Sequence, residues 1–453
     1  MTVETEVTLP QILDARERRA ERQRRLLEQY GKTLVCFTMN IAGPVKNNDL
    51  IRWGFQFGGR MLIAQVKAEG IPVLCHQEYL ENTGCEGYWV LDGEPEKVKA
   101  LTVQVEDSVP LGRLFDMDVL AMSGKKLQRE DLGFPRRRCL LCQKEAVVCG
   151  RSRAHSVPEL QAKTIELLVA AMRQERSREI ARLACRSLLY EVCVTPKPGL
   201  VDRSNSGSHR DMDIFSFMSS GSTLWPYFQD CALCGMETAS ETPEETFRRL
   251  RFLGRCAERD MLSATGGVNT HKGAVFTMGL LCGAAGRLGW KESLQSDRLL
   301  EEAAAMTRGL VRQDLSDTDG NRAVTQGRRL YAQYGIAGIR GEAEAGFPTV
   351  SQAGLPVLTE GIRRGLSVND AACAALLAIM GAAADTNLIS RSSLERQQRV
   401  REEIKTVLAE NPYPGRTVLE NLDAAFIEEN LSPGGSADLL AASLFLYFLC
   451  CET

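Results

Sequence analysis

The sequence predicts a chain in two parts: a mixed α+β domain over residues 1–170, then a larger all-α domain over residues 171–453. Three observations predict this. Short apolar runs punctuated by Gly and Pro crowd the first 155 residues. Long stretches of helical periodicity fill the chain from about residue 159 onward. The length of 453 residues also exceeds one ordinary core, at roughly 100–200 residues per domain.

The first element is a helix in which Leu13, Ala20 and Leu27 fall on one face, and six of the ten residues 16–25 are Arg. Strand-like runs follow at 33–39 (TLVCFTM), 72–76, 88–91, 101–105 and 114–120. Breaks at Gly43-Pro44, Gly58-Gly59, Asp92-Gly93 and Pro110 separate the elements of this part. Helical patterns then run over 159–192, 244–262, 274–288, 296–311, 349–364, 369–384, 393–409 and 437–449. Thr242 followed by Glu245 reads as a capping-box start. Gly, Ala and Ser stud these helices and permit close helix–helix approach. No internal repeat or low-complexity linker separates the two parts, so they are expected to abut directly.

Composition narrows the function classes. Lys+Arg 55 against Asp+Glu 58 gives a formal charge of −3, which argues against a protein built to wrap nucleic acid. No run of about 18 uninterrupted apolar residues exists, and the 13 residues 439–451 read as a buried terminal helix, so no membrane partner is expected. The first ten residues, MTVETEVTLP, lack the basic start and apolar run of a secretory signal. Fifteen cysteines, an odd count scattered as single residues, fit reduced thiols of a cytoplasmic protein better than a disulfide framework.

Three constellations carry chemistry. In GRLFDMDV (112–119), side chains two apart share a strand face, so Asp116 and Asp118 project together while Phe115, Met117 and Val119 enter a core. Two carboxylates on one face repel unless a cation sits between them, and Mg²⁺ answers when the substrate brings phosphates. The bland alternative is a pair of solvated aspartates on an edge strand. Next, Cys139, Cys142, Cys149 and His155 offer four soft ligands within 17 residues, enough for a tetrahedral Zn²⁺ site, against the alternative of reduced thiols beside a basic loop. The third constellation is TPKPGLVDR (195–203), SHRDMD (208–213) and TGGVNTHKG (265–273). Gly-rich polar turns that open onto a helix suit a polyphosphate, since backbone N–H groups and helix N-termini attract anions. One such loop is easily explained as a helix cap; two of this density are less so.

These residues carry a resemblance to known families. Residues 1 to about 165 resemble apo-citrate lyase phosphoribosyl-dephospho-CoA transferase (holo-citrate lyase synthase), through LDARERR (13–19), NIAGPVK (40–46), NTG (82–84), GRLFDMD (112–118) and the segment 139–155. Residues from about 176 onward resemble triphosphoribosyl-dephospho-CoA synthase, through TPKPGLVDR, GSHRDMD (207–213), GVNTHKG (267–273), YGIAGIRGEAEAGFP (334–348) and SPGGSADLLA (432–441). One departure is Ala42, where the family pattern has Pro.

The resemblance implies two consecutive transferase reactions. The C-terminal domain would join ATP to 3′-dephospho-CoA, releasing adenine and forming 2′-(5″-triphosphoribosyl)-3′-dephospho-CoA. The N-terminal domain, expected to be nucleotidyltransferase-like because paired acids on one strand recur in that fold, would pass the phosphoribosyl-dephospho-CoA unit to a serine of the citrate lyase acyl carrier protein, releasing pyrophosphate. Asp116 and Asp118 would hold Mg²⁺, Arg113 would neutralise the leaving group, and Asn40 and Lys46 would bind substrate. In the second domain, Lys197 and Lys272 are the expected phosphate ligands, with Asp202, His209 and Asn269 as further substrate contacts. His271 would protonate departing adenine. Glu258 would offset oxocarbenium charge or hold Mg²⁺ with Asp211 and Asp213; the bland alternative for Glu258 is a salt bridge to Arg255 or Arg259. Carrier proteins are acidic, so Arg16, Arg18, Arg19, Arg22, Arg24 and Arg25 form a candidate docking face, and a solvated helix face is the alternative. Two competing readings are the equivalent prosthetic-group system of malonate decarboxylase and a non-catalytic factor that holds the carrier.

Overall fold

Strand β1 (Thr33–Met39) is buried along its first five residues, because TLVCF has no position that tolerates water. It is the middle strand of a five-stranded antiparallel sheet in the computed structural model, which describes residues 5–289, 294–316 and 325–452. The sheet order is β2 (Val73–Glu81), β3 (Gly84–Leu91), β1, β4 (Phe115–Leu120) and β5 (Lys126–Leu127). Helices α1 (Leu9–Tyr30), α2 (Asp49–Ala68) and α3 (Pro95–Ser108) accompany it. On one face Phe37 stacks on Phe55 of α2 at 4.9 Å and meets Phe115 edge-on at 5.3 Å, among Leu62, Trp89 and Met117. The other face packs Leu34, Cys36, Tyr88 and Val90 against Leu26 of α1.

Two local expectations are corrected. Residues 101–105 belong to helix α3 rather than a strand: the run LTVQV is β-rich, yet Pro95 opens a helix and Val98, Leu101 and Val105 bury one face at helical spacing. In α1, Leu13 is 48% exposed, and the inward stripe is Ala15, Arg19, Arg22 and Leu26. A heptad-spaced set such as 13, 20 and 27 shares a face, but the sheet offers Glu81 and Glu86 to arginines instead of an apolar floor.

The chain divides into two compact units, Met1–Gln174 and Glu175–Thr453. After β5 the described residues hold no strand. Helices α4 (Ala146–Ser152) and α5 (Val157–Cys193) lead into α6 (Ile214–Thr223), α7 (Trp225–Glu237), α8 (Pro243–Ala264) and α9 (Lys272–Leu288). Next come α10 (Ser296–Met306), α11 (Gln326–Tyr334), α12 (Ile339–Glu344), α13 (Leu355–Arg363) and α14 (Val368–Ala382). The last four are α15 (Thr386–Arg391), α16 (Leu394–Glu410), α17 (Arg416–Glu428) and α18 (Gly434–Leu446). Thr242 caps α8, its hydroxyl accepting from the Glu245 N–H at 3.4 Å.

Small residues set the helix spacing. A Cβ on Gly235 would strike the carbonyl of Gly283, and one on Gly286 would strike that of Ala232, so α7 and α9 meet backbone to backbone. The stretch Gly434–Cys451 is long and apolar enough by composition to cross a membrane. Its Leu440, Leu444, Phe445 and Leu446 are fully buried in the core of the helical unit, as expected for the terminal helix.

Candidate active sites

In the unit 175–453, the loop 195–213, the start of α9, the turn before α12, the start of α15 and the start of α18 surround one cavity of about 740 Å³. All five of the polar motifs read from the sequence of this part contribute to its wall. The loop 195–208 is built for this. Asp202, 2% exposed, accepts from the N–H groups of Lys197 at 3.0 Å, Ser204 at 2.6 Å and Asn205 at 3.1 Å. Gly199 sits at φ 69° where a Cβ would strike the Leu431 carbonyl. Asp202 therefore ties the loop and does not line the cavity, against its assignment as a substrate contact.

The cations divide sharply. Lys197 lines the cavity but is 1% exposed, and its Nζ is committed to Glu191, 2.5 Å from Oε1 and 2.7 Å from the carbonyl oxygen. It is a buried pair rather than an open phosphate ligand. Lys272 is 61% exposed at the start of α9, with Nζ 3.4 Å from Glu258, so Glu258 pairs with Lys272 and not with Arg255 or Arg259. Asn269 accepts from the Lys272 N–H at 3.3 Å. His209 bonds Ser432 Oγ at 2.9 Å through Nε2, and Arg391 lies 3.1 Å from its Nδ1. Burial and Arg391 push the His209 imidazole below its ordinary value.

His271 is in the wall, and it is not the acid expected of it. The ring is 3% exposed, Nδ1 bonds Ser220 Oγ at 2.7 Å, and Phe217 packs edge-on at 4.9 Å. Burial, with Lys197 nearby, pushes the imidazole down to about 3, so it is neutral at neutral pH. Its Nε2 is buried and unpartnered among the described residues. Three proposed acids lie elsewhere. Glu258 and Asp211 do not line the cavity, and Asp213 caps α6 through the Ser216 N–H at 2.9 Å. No cluster of three metal-ligand side chains among the described residues includes Asp211 or Asp213.

The acids that do line it are Glu191, Glu342, Asp385 and Asp438. Asp385 caps α15, accepting from the Asn387 N–H at 2.9 Å, and also holds the Ser436 N–H at 2.7 Å. Asp438 receives the Ala274 N–H at the start of α9, and a Cβ on Gly273 would overlap its carboxylate. Burial, with Glu191 and Asp385 nearby, raises the Asp438 carboxyl well above the usual range. Burial raises Asp385 and Glu191 too. A signal for Asp438 was available: it is the single charge in the apolar run 433–451.

The unit 1–174 has its own cavity, about 650 Å³, beside the start of β4. Arg113, Arg129, Arg136, Arg137, Arg138 and Lys163 line it with Asn40, against only Glu106 and Asp107. Arg113 Nη2 donates to the carbonyls of Arg138 at 2.9 Å and Cys139 at 2.5 Å. Asp116 and Asp118 share a face of β4 while Phe115, Met117 and Val119 are fully buried, as the alternation requires. The pair is not in the cavity wall, but Arg137, which is, donates to the Phe115 carbonyl at 2.6 Å next to Asp116. Desolvation by the surrounding protein and the neighbouring Asp118 raise the Asp116 carboxyl, though the residue keeps an exposed side, and Asp118 pairs with Lys126 at 2.5 Å. Lys46 lies outside the wall and donates to the Ile41 carbonyl at 2.5 Å.

Of the six arginines of α1, Arg18, Arg19 and Arg22 turn to the sheet, while Arg16, Arg24 and Arg25 stay exposed. Arg19 and Arg22 reach buried Glu86 at 2.9 and 3.0 Å, Arg18 and Arg22 reach Glu81 at 2.6 and 2.8 Å, and Arg24 pairs with Glu21. The pairs to Glu81 and Glu86 fasten α1 to the sheet, while Arg24–Glu21 lies within the helix. Cys139, Cys142, Cys149 and His155 do converge, each placing a ligand atom within 4.8 Å of the others.

Comparison with known proteins follows the same division. The family model for ATP:dephospho-CoA triphosphoribosyl transferase matches residues 177–452, and that for apo-citrate lyase phosphoribosyl-dephospho-CoA transferase matches residues 7–171. Protein CitXG of Haemophilus influenzae is 35% identical over 453 residues, covering 97% of this chain and 96% of that protein. The chain belongs to the CitXG family. A second CitXG protein, from Leuconostoc mesenteroides subsp. cremoris, is 33% identical over 456 residues and 97% of each chain. The 2-(5″-triphosphoribosyl)-3′-dephosphocoenzyme-A synthase of Klebsiella pneumoniae is 42% identical over 274 residues, 60% of this chain and 90% of that protein. As a CitXG-family member the chain is a bifunctional transferase. Neither the malonate decarboxylase system nor a non-catalytic assembly factor is favoured by these matches.

Proposed function

We propose that this chain makes and attaches the citrate lyase prosthetic group in the cytoplasm. The helical unit takes ATP and 3′-dephospho-CoA: the ribose 2′-hydroxyl oxygen of dephospho-CoA bonds to C1 of the ATP ribose, and the C1–N bond to adenine breaks. The observation that carries this reading is the convergence of all five polar motifs on one cavity of about 740 Å³, the size of a nucleotide site. Lys272, Arg391 and the N-terminus of α9 hold the triphosphate. Neutral His271 offers one hydrogen bond to ribose or base. Asp438, its carboxyl raised well above the usual range, takes the acid role toward departing adenine that His271 does not fill.

The N-terminal unit acts as a nucleotidyltransferase-like domain on the product. A serine hydroxyl of the citrate lyase acyl carrier protein attacks phosphorus, and the bond to pyrophosphate breaks. The arginines of the cavity hold the departing diphosphate. Mg²⁺ fits Asp116 and Asp118, two carboxylates on one strand face, since Mg²⁺ is bound by one or two carboxylates plus substrate phosphates. When bound it supplies charge neutralisation at those phosphates. The four-donor cluster lies outside this chemistry, because thiolates select zinc rather than magnesium.

The test is to incubate the chain with ATP, dephospho-CoA, Mg²⁺ and apo-carrier, following adenine, pyrophosphate and carrier mass. Adenine release and a carrier heavier by the phosphoribosyl-dephospho-CoA group are expected. An unchanged carrier mass refutes the transferase assignment, and absent adenine refutes the synthase assignment.

A further inference from the structure

Residues 134–156 form an arm with little buried apolar contact to hold it. Of its 23 positions only Cys139 and Cys149 are buried, and Val147 and Val148 are each more than half exposed. The backbone contributes a short antiparallel knuckle: Cys139 N donates to Lys144 O at 2.7 Å, and Ala146 N to Arg137 O at 2.8 Å. An arm this poor in apolar contacts needs a staple.

The two buried residues are both thiols, and they meet Cys142 and His155. Cys142 Sγ and Cys149 Sγ are 3.4 Å apart. That is far beyond the ~2.05 Å of a disulfide and near the ~3.7 Å edge of a tetrahedron with metal–sulfur bonds of ~2.3 Å. The His155 Nε2 is buried with no hydrogen-bond partner among the described residues, the condition of a ligand awaiting its ion.

The arm also carries function-bearing groups. Arg136, Arg137 and Arg138 immediately precede Cys139 and line the arginine cavity. Arg113, in the same wall, is held by the carbonyls of Arg138 and Cys139. Whatever fixes the knuckle therefore fixes the backbone that carries or holds four of the five cavity arginines, Arg137 being anchored also by Glu106 and the Phe115 carbonyl.

We infer that Cys139, Cys142, Cys149 and His155 bind one Zn²⁺ that clamps this arm and so sets the anion-binding arginines of the transferase cavity. The ion is structural: all four positions are filled by protein, leaving none for substrate. Its role rests on the transferase reading of that cavity, and it predicts a defect in substrate capture rather than in bond-making.

The experiment begins with metal content. Chain purified with zinc present and thiols reduced is expected to hold about one zinc per molecule, lost in Cys142→Ser/Cys149→Ser. Chelator-stripped wild type should release adenine from ATP at an unchanged rate, which shows the chain still folded. Its KM for the triphosphoribosyl intermediate in carrier modification should rise on the order of tenfold, with kcat nearly constant, because cavity arginines lose their charge-assisted contacts. Zn²⁺, and not Mg²⁺, should restore it. Zinc-free protein from zinc-replete medium, zinc retained by the double serine variant, a Cys142–Cys149 disulfide in place of metal, or a KM indifferent to stripping each overturns the inference. Zinc present with no carrier modification by the wild type would count against the transferase reading instead.

Discussion

His271 gives a prediction that separates a buried neutral imidazole from an acid–base residue. Its folded-state value is pushed down to about 3, against about 6.5 in an unfolded chain. Between these values the unfolded chain binds the extra proton, so this group's contribution falls as pH drops below about 6.5. From pH 7 to pH 5 the loss is about 2 kcal/mol. In a unit of this size that is a melting-temperature drop of roughly 4 °C. His271→Gln keeps a polar side chain beside Ser220 Oγ but does not titrate. The melting-temperature gap between wild type and variant should therefore shrink by roughly 4 °C between pH 7 and pH 5, whatever the variant loses at pH 7. Comparing the two proteins removes the opposite trend from Asp438, Asp385 and Glu191, whose raised carboxyls gain protons in the fold as pH falls. Thermal melts at the two pH values supply the measurement, together with a pH profile of adenine release. A constant gap, or a limb near pH 6.5 in the wild-type profile that vanishes in the variant, refutes the neutral-imidazole account.

Three further expectations follow from contacts at the two sites. Gly273→Ala displaces the Asp438 carboxyl from the N-terminus of α9, and adenine release, followed chromatographically, should fall about tenfold as about one hydrogen bond is lost; an undiminished rate removes Asp438 from the mechanism. Lys197→Met leaves Glu191 buried without its partner and should cost about 3–5 kcal/mol in urea unfolding, whereas Lys272→Ala should leave stability within about 0.5 kcal/mol and raise the KM for ATP. Asp116→Asn should abolish carrier modification and spare adenine release; loss of both activities with the fold retained contradicts two separate sites.

The sequence revealed segments best where one physical requirement dominated. Residues 33–39 could only be a buried strand, and the alternation in 115–119 placed both aspartates on one face before any coordinates. It misled where two requirements competed. The run 101–105 has strand-forming side chains inside a helix-forming frame, and the frame prevailed because Val98, Leu101 and Val105 reach the same core. Helix α7 escaped notice because its exposed face carries only Gln229, Asp230 and Glu237 as charged or amide residues. At the sites, motif density correctly marked the segments that line the helical unit's cavity. It did not tell which polar groups face the cavity, since Asp202 and Asp213 bond to backbone and Lys197 to Glu191. Those partners are set by local turn geometry and by chain segments whose meeting composition does not report.

The charges of the two cavities fit different transition states. The cavity of the first unit has six cations against two acids in its wall, which suits a reaction whose leaving group is pyrophosphate and whose charge build-up is negative. The cavity of the helical unit has three cations against four acids, and one of those cations is committed to Glu191. A site built only to grip a triphosphate would not place Asp438 and Asp385 in its wall beside Glu191. Displacement of adenine at an anomeric carbon explains the arrangement. There the triphosphate is a spectator that backbone N–H groups and Lys272 hold at one end, while positive charge develops on the ribose and a proton must reach the base. In the reading proposed above, Asp438 supplies that proton and, on losing it, becomes negative charge that offsets the oxocarbenium. The excess of acid thus suits the reaction, while burial and nearby Lys197 keep the His271 imidazole neutral.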